Sequence, residues 1–188
     1  MKAGVRALGV AESYRQDRSI LGGAVVTATG TVDGFAFEPC TVGGLDATAA
    51  VKRLYEQLDR EDVRYLFVAG IAPAWFNVLD LESIHEATDR PVLSISFEAS
   101  TGLEEPLRDA FEGAALTRRL ERYRAQPERE RITVNDQERF VRSVGLSEPA
   151  ESVVAAFTPE GGRPEPVRVA RLAARGADRL LETLETGP

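Results

Sequence analysis

Lysine is almost absent. Of 23 basic residues only Lys2 and Lys52 are lysines, against 30 acidic residues, and the formal net charge is -7. Lysine is a compact, strongly hydrated charge, whereas arginine binds carboxylates through a planar and less strongly hydrated fork. Acidic excess with so few lysines belongs to proteins of salt-loaded cytoplasms and to GC-rich genomes, which favour arginine codons; a halophilic origin is the expectation. Negative net charge opposes nucleic-acid binding by repelling phosphates. In molar salt that repulsion is screened within about 3 Å, so the charge weakens a nucleic-acid role without excluding it.

Cysteine, histidine and tryptophan occur once each. A lone Cys40 has no internal disulfide partner, which points to a reducing cytoplasm. Without a CxxC pair or a companion histidine it reads as a small buried apolar residue. His85, mid-helix among polar neighbours, reads as exposed rather than as a ligand. No apolar run reaches eighteen residues, so no membrane span is expected, and MKAGVRALGVAES lacks the pattern of a signal peptide. Gly43-Gly44 lacks the lysine of a P-loop, no dinucleotide fingerprint is present, and Ser94 and Ser96 alternate without a GxSxG elbow.

The 188 residues, 43% of them apolar, suit one domain with a substantial core. Residues 5–10 read as a first strand ending at Ala11-Glu12-Ser13, residues 14–19 as a loop, and residues 21–28 and 31–37 as two further strands of an antiparallel meander. The pattern then changes. Asp46 can cap a helix carrying Ala50, Val51, Leu54 and Leu58. Residues 64–69 (RYLFVA) and 91–97 (PVLSISF) are short apolar runs suited to buried parallel strands, separated by a loop at 70–77 and a short helix at 80–88. Helices are expected over 103–111, 116–123 and 148–157, and a hairpin over 131–134 and 139–144. A Pro/Gly loop follows at 158–166, then a final helix with Pro166 in its first turn. Meander first and βαβ units afterwards give an α/β fold: a mixed sheet with helices on both faces.

Three features could carry chemistry. Glu12, Asp46 and Asp80 stand where strands give way to loops, and converging carboxylates bind hard cations such as Mg²⁺ or Mn²⁺; two helix caps and a loop residue are the plainer reading. Trp75, Phe76 and Asn77 could stack and read a base, or pin a loop to the core. Arg168 and Arg171, one helical turn apart, suit phosphate contact, while a Glu165–Arg168 ion pair is the plainer alternative.

With these residues in view, the chain resembles the archaeal endonuclease dU family, similar to a distant branch of the endonuclease V group. The resemblance rests on LGVAES (8–13), VGGLDAT (42–48), AGIAPAWFNVLDL (69–81), RPVLSIS (90–96) and PEPVRVARLAA (164–174). It spans most of the chain, in order, and the haloarchaeal character of the composition agrees. It implies a single ribonuclease H-like domain over 1–188 and a Mg²⁺-dependent endonuclease acting on DNA or RNA with a deaminated or otherwise unusual base. Glu12 and Asp46 would be metal ligands, with Asp80 as a third catalytic carboxylate. Trp75, Phe76 and Asn77 would form the base pocket, and Glu165, Arg168 and Arg171 the phosphate contact. Two positions depart from the pattern. Ala11 and Ala69 stand where endonuclease V relatives carry aspartates. A non-catalytic nucleic-acid or nucleotide binder, or a homodimeric scaffold, are the competing expectations.

Overall fold

The computed structural model describes residues 1–15 and 17–186. β1 (Arg6–Arg15), β2 (Arg18–Thr27) and β3 (Val32–Cys40) form the expected antiparallel meander. β4 (Val63–Ala69) pairs parallel to β1, and β5 (Val92–Ser96) parallel to β4. β6 (Glu130–Val134) and β7 (Gln137–Val144) form the terminal hairpin, which joins the sheet by pairing β7 antiparallel to β5. Its two-residue turn, Asn135-Asp136, has φ of 50° and 58°, the left-handed pair that lets a tight hairpin follow the twist of its strands. The sheet order is β3-β2-β1-β4-β5-β7-β6. β4 is therefore central, with Leu66 and Val68 buried on one face and Tyr65 and Phe67 on the other. Burial on both sides is why its sequence is continuously apolar.

α1 (Ala47–Leu58) and α3 (Leu81–Thr88) cover the first face; α6 (Ala150–Ala156) and α7 (Glu165–Thr186) cover the second. A third group encloses the loop after β4. The short turn α2 (Pro73–Phe76), α4 (Glu104–Ala110) and α5 (Gly113–Arg124) share a small core of Val78, Leu107 and Leu120 with Phe76, Phe111 and Tyr123. α7 lies unusually close to the sheet. It presents Val167, Ala170 and Ala174 inward, at helical spacing, over Gly9 and Gly22. A Cβ on Gly9 would lie 2.0 Å from the Pro166 carbonyl, and one on Gly22 2.8 Å from the backbone of Ala170 and Ala174. Side chains there would push the helix off the sheet.

Two expectations are corrected. Of the loop expected at 14–19, the described residues are largely strand, with β1 running to Arg15 and β2 starting at Arg18. The polar residues are docked rather than solvated: Asp178 of α7, 1% exposed, accepts hydrogen bonds from Ser13 Oγ (3.0 Å), Arg15 Nε (2.7 Å) and Arg18 Nε (3.0 Å). His85 is half-buried, its Nδ1 lies 2.8 Å from the Arg90 carbonyl oxygen, and its ring packs on Gly145.

Burial alone would raise the Asp178 pKa, but hydrogen bonds from Ser13, Arg18 and Arg15 hold it below the ordinary carboxylate value. A depressed carboxylate stabilises the fold fully above its unfolded pKa of about 3.9 and loses that contribution as pH falls through the lower folded value. Asp178→Asn should therefore lower stability at neutral pH by about 2–3 kcal/mol, below the figure for a deep ion pair because both arginines are partly exposed. Urea denaturation of both proteins across the acid range should show the difference shrinking below about pH 4.

Candidate functional site

The C-terminal end of β1, the end of β3 and the loop after β4 meet at one corner of the sheet. Glu12 does not stand where β1 gives way to a loop: it lies within the strand, paired with Leu21 of β2, and accepts a hydrogen bond from the backbone N–H of Ala74 in α2. Desolvation raises its pKa, opposed by that bond and by the positive charge of Arg171. Cys40 closes β3 and is buried, as expected. Burial is the main cause of a thiol pKa pushed up to about 11, and the charges of Asp46 and Glu12 add to it. The charges of two of the three candidate carboxylates thus reach one buried thiol.

Asp46 does not cap α1 in the expected way. It occupies the position before the helix but makes no side-chain capping bond. Its carboxylate turns back instead, accepting from the Thr41 N–H at 3.1 Å on both oxygens, from Thr41 Oγ1 at 2.8 Å and from Asn77 Nδ2 at 2.6 Å. Burial opposes its ionisation, but the bonds from Asn77 and Thr41 prevail and hold its pKa below the usual carboxylate range. The first backbone N–H of α1, on Ala47, is capped from elsewhere: it donates to Asn77 Oδ1 at 2.9 Å. Asn77 also donates to the Thr41 carbonyl oxygen at 2.9 Å and is fully buried. Its amide is occupied by the protein's own groups, which fits loop anchoring rather than base reading. Asp80 caps α3, accepting from the Ser83 N–H at 3.0 Å.

Between Glu12 and Asn77 the chain makes an uncommon turn. Ala74, Trp75 and Phe76 have φ of 49°, 54° and 61°, consecutive left-handed residues without a glycine, a conformation costing roughly 1–2 kcal/mol each. The Gly43 N–H donates to the Ala74 carbonyl oxygen at 2.7 Å, and the Asn77 N–H to that of Pro73 at 2.9 Å. The indole of Trp75 lies over Gly43, where a Cβ would come within 2.7 Å of it. Phe76 and Phe111 pack with it at centroid distances of 5.9 and 5.0 Å, yet Trp75 stays 47% exposed. The aromatics therefore pin the loop while Trp75 stays partly open to solvent.

Other contributors gave no legible signal in the sequence. Arg119, 5% exposed, stacks 3.8 Å over Phe111 and donates to the carbonyl oxygens of Phe76, Gly43 and Gly44. Arg122 does the same for Leu45 and Val78. A cleft of about 320 Å³ opens at the ends of β4 and β5, lined by Gly70, Ser94, Ser96, Tyr123, Arg129 and Phe140 among others. On α7, Arg168 forms a two-pronged ion pair with Glu165, both bonds 2.7 Å, which fits the plainer reading. Arg171 makes no such pair and reaches the field of Glu12.

The model of the family described as endonuclease dU matches residues 3–177. The chain belongs to the endonuclease dU family. An archaeal relative from Pyrobaculum calidifontis, named only as a UPF0215 protein, is 32% identical over 93% of this chain and 97% of its own; one from Archaeoglobus fulgidus is 29% identical over 90% and 91%. Among solved structures, a protein of unknown function from A. fulgidus superposes with a TM-score of 0.79 at 26% identity, covering 92% of this chain and 97% of that one. Endonuclease V of Ciona intestinalis, in complex with inosine-containing DNA, aligns at TM-score 0.56 and 9% identity over 94% and 87%, which speaks for the fold alone. The mixed sheet is ribonuclease H-like.

That fold implies a divalent cation, and the donors at this corner do not fit one as arranged. Asp46 directs both oxygens at Thr41 and Asn77, and one oxygen of Glu12 is engaged by Ala74. Ala11 and Ala69 add no oxygen, and among the described residues no group of three or more histidine, cysteine or acidic side chains could hold a metal ion.

Asn77→Ala should destabilise the fold by about 3 kcal/mol, since it leaves the buried Ala47 N–H unpaired and takes one partner each from the Thr41 carbonyl and the Asp46 carboxylate. Asn77→Asp should cost more at neutral pH, by setting a second carboxylate against Asp46, and regain stability as pH falls. Equilibrium denaturation at two pH values checks both.

Proposed function

We propose that this endonuclease dU family protein binds nucleic acid, DNA or RNA, across the ends of β1, β4 and β5, with a deaminated or otherwise unusual base as the group it selects. The cleft beside Gly70 and Ser96 carries this reading. Open α/β sheets bind ligands beyond the carboxyl ends of their parallel strands, and this cleft combines aromatic walls with fixed cations. Arg129 stacks 4.1 Å over Phe140 and is held by Ser96 Oγ (3.0 Å) and the Glu98 carbonyl oxygen (2.7 Å). Arg142 approaches the ring of Tyr123 at 5.4 Å. Such walls suit a planar base, because every base offers a π-face. Trp75, partly exposed, gives a second stacking surface, and Arg171 the phosphate contact nearest Glu12. The family's description and the inosine-containing ligand of the endonuclease V neighbour support a deaminated base.

Metal-dependent cleavage is the second reading, favoured by the charges of Glu12 and Asp46 both reaching Cys40. It is the weaker one, because those carboxylates are already engaged. Fluorescence anisotropy with labelled oligonucleotides containing deoxyuridine or inosine, in EDTA and in Mg²⁺ or Mn²⁺, separates the two. Binding should persist in EDTA without cleavage in either metal, and Tyr123→Ala should weaken it by about tenfold, the scale of one lost base-stacking contact. Strand cleavage that needs Mn²⁺ and disappears in Glu12→Gln would establish the second reading instead.

A further inference from the structure

Arginine is the residue this chain uses to tie itself together, so arginines left untied are informative. Among the described residues, most arginine side chains form an ion pair or donate to a backbone or side-chain oxygen. Arg118, Arg163, Arg171, Arg175 and Arg179 do neither, and of these Arg163, Arg171 and Arg175 line one cleft of about 330 Å³ with Arg168 and Leu172. Arg168 is already spent on Glu165. Arg171 and Arg175 are four residues apart and share a flank of α7. Arg163, just before the helix, is fixed by stacking 4.2 Å over Phe97, which follows β5.

Gathering three guanidinium groups in one cleft of a protein with net charge -7 is unfavourable unless an anion joins them. Arginine cannot relieve the repulsion by losing its proton at neutral pH. Burial, followed by the charges of Arg171 and Arg175, lowers the Arg163 pKa, as expected for cations crowding one another. The guanidinium fork matches phosphate oxygens, and several forks along one helix flank match a ligand with repeated phosphates better than a single anion. The neighbours set the direction. Arg171 lies in the field of Glu12 in β1, and Arg163 in that of Glu98, which lines the aromatic cleft. Both acids belong to the sheet side, Glu12 to β1 and Glu98 to the segment after β5, whereas the arginines belong to α7 and the loop before it.

We propose that Arg163, Arg171 and Arg175 form a backbone track that holds successive phosphates of a nucleic-acid strand on α7 and leads it to the aromatic cleft, with the arginines supplying the positive charge directly. The inference rests on the nucleic-acid reading above and adds to it the surface, two further residues and independence from divalent ions.

The test is anisotropy of a labelled oligonucleotide over a sodium chloride series in EDTA, with wild type, the double variant Arg171→Ala/Arg175→Ala, Arg163→Ala, and Arg179→Ala as an α7 control outside the cleft. The double variant should bind about tenfold or more weakly at low salt, and its slope of log K against log salt should fall by about 1.4–1.8, the loss of two phosphate contacts. Arg163→Ala should lower the slope by about half as much, and Arg179→Ala should match wild type. Orthophosphate should displace the strand no better than chloride at equal ionic strength. Wild-type binding with an unchanged slope in the double variant would overturn the track and leave the nucleic-acid reading standing. Absence of wild-type binding to any oligonucleotide would overturn both. Arginine-dependent binding of orthophosphate without strand binding would replace the track by a free-phosphate site.

Discussion

The buried amide of Asn77 is the contact on which the strand-end corner depends. It caps the first N–H of α1, holds the Thr41 carbonyl and turns the Asp46 carboxylate inward. It also ends the left-handed turn whose Ala74 N–H reaches Glu12. Conformations of that kind persist only where the surroundings over-determine them, and here two loops, a strand end and a helix N-terminus are fastened through one side chain. Arg119 and Arg122 secure the same loops from the other side by engaging their carbonyl oxygens. These bonds tie the loops of the corner to one another.

Those bonds occupy the carboxylates. In a ribonuclease H-like sheet, free acids at these positions would be available to a cation. Here Asp46 is held ionised by Thr41 and Asn77, Asp80 caps a helix, and Glu12 anchors a strained backbone while desolvation raises its pKa. The positive charge of Arg171 on α7 reaches Glu12. The sheet is ribonuclease H-like, and its candidate acids are engaged by the protein's own donors.

Much of this architecture was legible because it rests on local patterns. The continuous apolar run of β4, the alternation of the meander and the Pro166 helix start each follow from burial and backbone geometry, and the quoted segments led to the family directly. The hairpin end at Arg15 and Arg18 was not legible, since its polar residues dock on Asp178, more than 150 positions away. Asp46 illustrates the harder problem. Its place before a helix is visible in the sequence, but whether its oxygens face the helix, a ligand or an amide is fixed by Asn77, 31 positions on. Trp75 showed as an aromatic loop residue, whereas the left-handed turn that aims it has no glycine to announce it. The arginine patch was half visible: Arg168 and Arg171 share a helical turn, but Glu165 removes the first, and folding brings Arg163 and Arg175 to the second.

The central claim is that the candidate carboxylates are occupied by the protein itself. Titration of the purified protein with Mn²⁺, following the free ion by electron paramagnetic resonance, tests it most directly. The account predicts that the free-ion signal rises with added Mn²⁺ as in buffer and is the same for wild type and Asp46→Asn. A stoichiometric site in wild type that is lost in Asp46→Asn would contradict it.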